Sequence, residues 1–305
     1  MTPLRLGYLY GIGAYLLWGF FPLYFKLLRP TGPLEILAHR IVWSVLFVAL
    51  LLGALRNIGF LRALLRRRGA LAGIVAAAAL IAVNWGTYIY GVSANRVVET
   101  ALGYFINPLV VVLLGVTVLR ERLRAAQWAA LGIGGSAVAV LAVDYGRLPW
   151  LALTLAFSFA GYGLIKKQLG LPAAEGLFVE SAVLALPALG YLAWLSRHGG
   201  LTFGHVSAGH TALLVLAGAA TAIPLLLFAG AANRLPLTGL GMIQYLAPIL
   251  QLACGVLIFH EPMPPARVAG FALVWLALVV FTADAIRAAR QSRNTPALAT
   301  PVPTP

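Results

Sequence analysis

Apolar residues along the chain gather into ten long runs instead of alternating with polar ones. The runs cover roughly residues 8–28, 34–54, 70–92, 98–119, 124–143, 149–166, 177–195, 211–232, 238–259 and 268–286. They are built of Leu, Ala, Val and Gly without period-two alternation, so barrel strands do not fit. A hydrocarbon core of roughly 30 Å needs about 20 helical residues, and each run approaches that length. The weakest is 149–166, which is short and ends on Lys166 and Lys167. Connectors are short except Leu55–Gly69 and Ser196–His210, so successive helices run antiparallel. The expected fold is all-α: a polytopic membrane protein with ten transmembrane helices.

Composition agrees with that pattern. The 305 residues are 61% hydrophobic and 10% charged, whereas soluble domains carry about one charged residue in four. The net charge of +14 raises nucleic acid as a partner. Its distribution excludes that, because Lys and Arg stand singly or in small groups between apolar runs instead of forming one basic face. The lone Cys254 offers no disulfide and no metal cluster. No Walker A sequence and no H-E-x-x-H is present, so no cofactor, metal or enzymatic activity is expected. Arg5 precedes a first run, Tyr8 to Leu28, that is too long for a signal peptide and reads as the first span.

Positive charge sets orientation. With ten spans and a cytoplasmic N-terminus, fifteen basic residues fall on the cytoplasmic side and five on the other. Lys26 and Arg40 remain within spans. Both termini are therefore expected in the cytoplasm, and residues 294–305, rich in Pro, read as a disordered cytoplasmic tail.

The two halves echo each other near a 140-residue offset. Glu35 matches Glu175, and Tyr104-Phe105-Ile106-Asn107-Pro108 matches Ile243-Gln244-Tyr245-Leu246-Ala247-Pro248. Pro108 and Pro248 each precede a glutamate, Glu121 and Glu261, by 13 residues. Ala94-Asn95-Arg96 recurs as Ala232-Asn233-Arg234, and Trp18-Gly19 is echoed by Tyr162-Gly163. These matches suggest two five-helix repeats, 5–143 and 149–290. Five is odd, so the second enters the membrane inverted, an arrangement that lets one half rock against the other around a central site.

Polar groups in hydrocarbon are costly and turn inward. Arg40 lies about two turns inside the second span, fit either to bind an anionic group or to pair with Glu35 or Glu180. Glu180 falls at its 140-residue equivalent. Asn84, Trp85 and Tyr88 occupy the middle of the third span. Pro108, Pro248 and Pro224 each remove a helical hydrogen bond and act as hinge candidates. Tyr104 and Gln244 lie four residues upstream of two of them, beside Asn107 and Tyr245. A substrate site lined by Arg40, Asn84, Trp85, Tyr88, Tyr104, Asn107, Gln244 and Tyr245 is expected. Glu35 and Glu180 are the candidates for proton coupling or charge pairing. Glu121 and Glu261 follow spans on opposite sides of the membrane and are candidate gates. Gly135, Gly161 and Gly163 would permit close helix packing.

Several of these stretches carry a likeness: Trp18 to Lys26, Glu35 to Ser44, Leu102 to Leu109, Ser158 to Leu164 and Gln244 to Pro248. Together they resemble the RarD branch of the EamA group, within the drug/metabolite transporter superfamily, over about residues 5 to 290. The resemblance implies a ten-helix permease of the bacterial plasma (inner) membrane built from two EamA repeats. It implies no particular substrate-site residue. The expected function is a secondary transporter moving a small organic metabolite or drug-like molecule, with amino acids among the candidates, by alternating access. Its partners would be that substrate and membrane lipids, with no nucleic acid, and it would act as a monomer or homodimer. An uncoupled channel and a non-transporting membrane scaffold are the competing readings.

Overall fold

A computed structural model describes residues 2–54, 68–120 and 122–294. The helices are α1 Pro3–Gly19, α2 Phe21–Leu27, α3 Pro33–Ala54, α4 Arg68–Ser93, α5 Val97–Thr117, α6 Ala125–Tyr145, α7 Trp150–Leu169, α8 Ala173–Arg197, α9 Ala208–Ala232, α10 Leu237–Ile243, α11 Leu246–Ala253 and α12 Pro265–Asn294. A π-helical turn, Cys254–Ile258, extends α11. Local signals explain many of the ends. The Thr2 side chain accepts from the Arg5 N–H and Pro3 opens α1. Gly146 and Gly170, both at φ 62°, take the left-handed conformation that ends α6 and α7.

Among the described residues, eight helices are long and apolar enough to cross a membrane, and nine if the bent α1–α2 pair is one span. Ten were expected. The shortfall is α7, a 20-residue helix with Lys166 and Lys167 in its last turn, whose apolar content those lysines dilute. It packs between α4 and α5, with Leu151, Ala152, Leu155 and Ala156 fully buried. Its other faces are not covered, since Trp150 and Phe157 are exposed. Elsewhere the bundle exposes large apolar side chains outward, such as Leu50, Val143, Leu186 and Leu257, as a lipid-wetted surface requires.

The helices of the two halves interleave. The closest packing joins α6 to α12, α5 to α7, α3 to α8, α4 to α7, α3 to α9 and α1 to α9. Two crossings depend on glycine. A Cβ at Gly218 would lie 2.4 Å from the Trp43 backbone, and one at Gly103 would lie 2.8 Å from the Ala152 carbonyl oxygen. The glycines expected to permit close packing behave differently. Gly135 and Gly163 face open space, and a Cβ at Gly161 would meet only Leu80 at 3.3 Å. Apolar clusters fill the interior around Phe105 and Phe271, around Phe25 and Ile89, and around Ile41 and Ile81.

The expected Pro-rich tail, beyond its first residue Asn294, and the gate candidate Glu121 lie outside the described residues. Of the prolines, Pro108 and Pro224 lie inside continuous helices. Pro248 lies just after the break between α10 and α11. Its missing N–H cannot reach the Gln244 carbonyl, which is where that break falls.

Candidate functional site

The helix axes leave a central cavity of about 430 Å³, within the range of small-molecule pockets. All eight of Arg40, Asn84, Trp85, Tyr88, Tyr104, Asn107, Gln244 and Tyr245 line it, with Pro108, Pro248 and Gln251. Aromatic rings form half of the remaining wall, Tyr15, Trp18, Phe21, Phe159, Tyr162 and Phe228, and Lys166 also lines it. Pro224, Glu35 and Glu180 are not among its lining residues.

Arg40 is 4% exposed. Its Nε donates to Thr221 Oγ1 at 2.8 Å, and its guanidinium lies 4.2 Å from the Trp85 ring centroid and 5.5 Å from that of Phe21. It pairs with neither glutamate considered for it. Glu35 accepts from Thr202 N at 2.8 Å, Thr202 Oγ1 at 3.0 Å and Phe203 N at 3.2 Å. That carboxylate therefore fastens the α8–α9 connector to the start of α3. Glu180 accepts from Lys166 Nζ at 2.8 Å and from the Tyr162 hydroxyl at 2.9 Å. The 140-residue offset pointed Arg40 towards Glu180, but Lys166, 14 residues before Glu180, takes that carboxylate.

Two amides of the cavity, Asn84 and Asn107, grip α7. Asn84 Nδ2 donates to the Leu155 carbonyl at 3.0 Å and to Ser158 Oγ at 3.1 Å, and Asn107 Nδ2 donates to the Ala156 carbonyl at 3.1 Å. The Tyr104 hydroxyl donates to Asn84 Oδ1 at 3.2 Å. Asn84 thus both lines the cavity and ties helices together. Two buried polar atoms in the wall have no partner among the described residues: the Tyr88 hydroxyl and Gln251 Oε1. Gln251 Nε2 is used, donating to the Trp18 carbonyl at 3.1 Å.

Beyond the Arg40 end of the cavity, polar contacts close the bundle. Glu261 accepts from Val97 N at 2.6 Å and Val98 N at 2.8 Å, capping the start of α5 from the α11–α12 connector. Burial pushes its carboxyl above the ordinary 4.5, outweighing the two amides, Lys26 and Arg267, which hold it down. Lys26 donates to Asn95 Oδ1, as Arg29 does at 3.1 Å. Glu99 is 2% exposed. It pairs with Arg96 at 2.5 Å and Arg147 at 3.1 Å and accepts from Leu151 N at 3.2 Å. Sequence reasoning missed Glu99 because an acid at the mouth of a span reads as a solvated flank. Its one available signal was the pair Arg96 and Glu99, three apart at a helix start. At the opposite end, Arg124 pairs with Asp284 at 2.5 Å.

Comparison with known proteins follows the same outline. The model of the EamA-like transporter family matches the chain twice, over residues 5–143 and 148–283. Protein RarD of Streptomyces exfoliatus is 56% identical over 289 residues, covering 95% of this chain and 92% of that one. The uncharacterized transporter YojE of Bacillus subtilis is 43% identical over 298 residues, covering 94% and 97%. A solved crystal structure shares the fold at a TM-score of 0.56 and 21% identity, over 90% of this chain and 96% of the other.

Proposed function

The chain belongs to the EamA-like transporter family and is a bacterial multi-pass membrane transporter of small molecules, and we propose that it is a secondary carrier working by alternating access. The observation that carries this reading is the central cavity, shared between helices of both halves and lined by Arg40, Asn84, Tyr88, Tyr104 and Gln251. A carrier needs such a site at mid-depth, with the two halves able to move around it.

Helix packing supports two inverted repeats of five spans each, 5–143 and 149–290, with α1–α2 and α10–α11 each acting as one span and α7 as the tenth. Exchanging the halves turns the α1–α9 contact into α7–α4, α1–α11 into α7–α5, and α3–α9 into α8–α4, all of which occur. The pairs α3–α8, α5–α11 and α6–α12 map onto themselves. Fifteen basic residues against five favour cytoplasmic termini in the plasma membrane. Under that topology the end held by Glu261, Glu99 and Glu35 is the outer one, and it is closed. Glu261 acts as its gate, Pro108, Pro224 and Pro248 serve as hinges, and Glu121 is the candidate gate of the inner end.

The test is counterflow in proteoliposomes loaded with a mixed pool of metabolites, without an imposed ion gradient. Transient accumulation of a labelled solute against its unlabelled pool is expected of a carrier. Flux that never saturates and shows no counterflow would assign a channel instead. No flux of any solute through folded, inserted protein would leave a scaffold.

A further inference from the structure

A guanidinium keeps its charge in nearly any surroundings, and burying it without a counter-charge is costly. Arg40 is buried, its faces are covered by Trp85 and Phe21, and only its Nε has a hydrogen-bond partner among the described residues. No described carboxylate lies within ion-pair distance of it. The buried acids nearby are engaged elsewhere: Glu35 on the Thr202–Phe203 amides, Glu180 on Lys166 and Glu261 on the Val97–Val98 amides.

The 140-residue offset sharpens the asymmetry. Lys166 and Glu180 form an ion pair in the second half, and their equivalents in the first half are Lys26 and Arg40, two cations. Of these four, Lys166 and Arg40 line the cavity, and of those two Lys166 has a carboxylate partner and Arg40 has none among the described residues. Beside the unneutralised cation, Tyr88 is 3% exposed, and its buried hydroxyl has no partner among the described residues. A buried hydroxyl left unpaired is costly, and here it lines the same cavity as the unpaired guanidinium. Gln251 Oε1 is a free acceptor on that wall. Aromatic rings, Trp18, Phe21 and Trp85 among them, supply apolar surface beside these groups.

We propose that the solute is an organic anion, a carboxylate on an apolar body, whose charge binds Arg40 and the Tyr88 hydroxyl while its body rests against Trp85, Phe21 and Trp18. A hydroxyl or amino group on the same molecule would satisfy Gln251 Oε1. The proposal rests on the carrier reading above, because it assigns the cavity to the transported solute.

Three probes of one shape separate charge from fit: 3-phenylpropionate, 3-phenylpropionamide and 3-phenylpropylamine, with inorganic phosphate as a fourth. Each is titrated into the purified full chain, with tryptophan fluorescence as the readout, since Trp18 and Trp85 line the cavity. The carboxylate should bind about tenfold more tightly than its amide, the scale of one charge-assisted hydrogen bond. Arg40→Gln should weaken the carboxylate by on the order of thirtyfold or more and leave the amide unchanged. Arg40→Lys should retain part of the affinity. Tyr88→Phe, which preserves shape, should weaken the carboxylate about fivefold with an unchanged melting temperature. Equal or tighter binding of the amide or the amine overturns the proposal, as does carboxylate affinity that ignores both positions. Phosphate binding as tightly as 3-phenylpropionate overturns it in favour of an inorganic-anion site. Counterflow of neutral or cationic solutes alone would sink the anion assignment and leave the carrier standing. Arg40-dependent carboxylate binding with no counterflow of any solute would do the reverse.

Discussion

Lys166 and Glu180 illustrate what a single buried charge requires. Glu180 is almost fully enclosed and Lys166 is one-fifth exposed, joined at 2.8 Å. Removing one partner strands the other, whereas removing both leaves little uncompensated charge. Lys166→Met alone should therefore cost about 3 kcal/mol or more, while Lys166→Met with Glu180→Gln should recover most of that loss. Thermal unfolding of the two single variants and the double variant, closed as a cycle, measures the coupling. The sequence made Arg40, Glu35 and Glu180 conspicuous, because charge inside an apolar run has few structural excuses. It could not reveal their partners. Thr221, which holds Arg40, is 181 positions away, and Thr202, which donates to Glu35, is 167 away. Such pairing is decided by which helices touch, and that information is spread over the whole chain.

Helix contacts in this bundle are set by where backbones approach. Gly218 brings α9 against the Trp43 backbone of α3 so closely that no side chain fits. Gly218→Ala must therefore push the helices apart, and Gly103→Ala must do the same between α5 and α7. Each should cost about 1–3 kcal/mol as an overpacked core does. Gly135 is exposed with nothing near its Cβ direction, so Gly135→Ala should stay within about 0.5 kcal/mol of the parent. Melting temperatures in one detergent check all three. Helix propensity alone would favour alanine at all three positions, so equal losses at Gly135 and Gly218 would mean that the close approach at Gly218 does not control the response. From sequence alone these glycines are indistinguishable, since each stands in an apolar run of Leu and Ala. The break at Gln244–Tyr245 was more legible, because Pro248 four residues on removes the N–H that would have bridged it.

At the scale of the molecule, hydropathy delivered most of the spans. The run it marked as weakest, 149–166, is α7, whose apolar content is diluted by Lys166 and Lys167 in the last turn. The interleaving of the halves was invisible to it, since lipid-facing and helix-facing apolar residues are chemically alike. That interleaving makes Glu261 consequential: it fastens the α11–α12 connector of one half to the first amides of α5 in the other. Its carboxyl is held above the ordinary 4.5 in this closed arrangement, and release into water would return it toward that value. Between the two values the closed form binds more protons than the open one. Acidification through that window must then favour closure, by linkage. Lys26 and Arg267 face the same carboxyl and oppose the upward shift without cancelling it. The measurement places a cysteine at Phe21 in a Cys254→Ser background and labels it from outside with an impermeant maleimide, from about pH 7 towards about pH 5. Dividing each rate by that of the same protein carrying Glu261→Gln cancels the thiol's own titration. The ratio should fall as pH falls. A rising ratio would mean that protonation opens the latch, and a flat one would move pH sensing, if transport shows any, to the carboxylates deeper in the bundle.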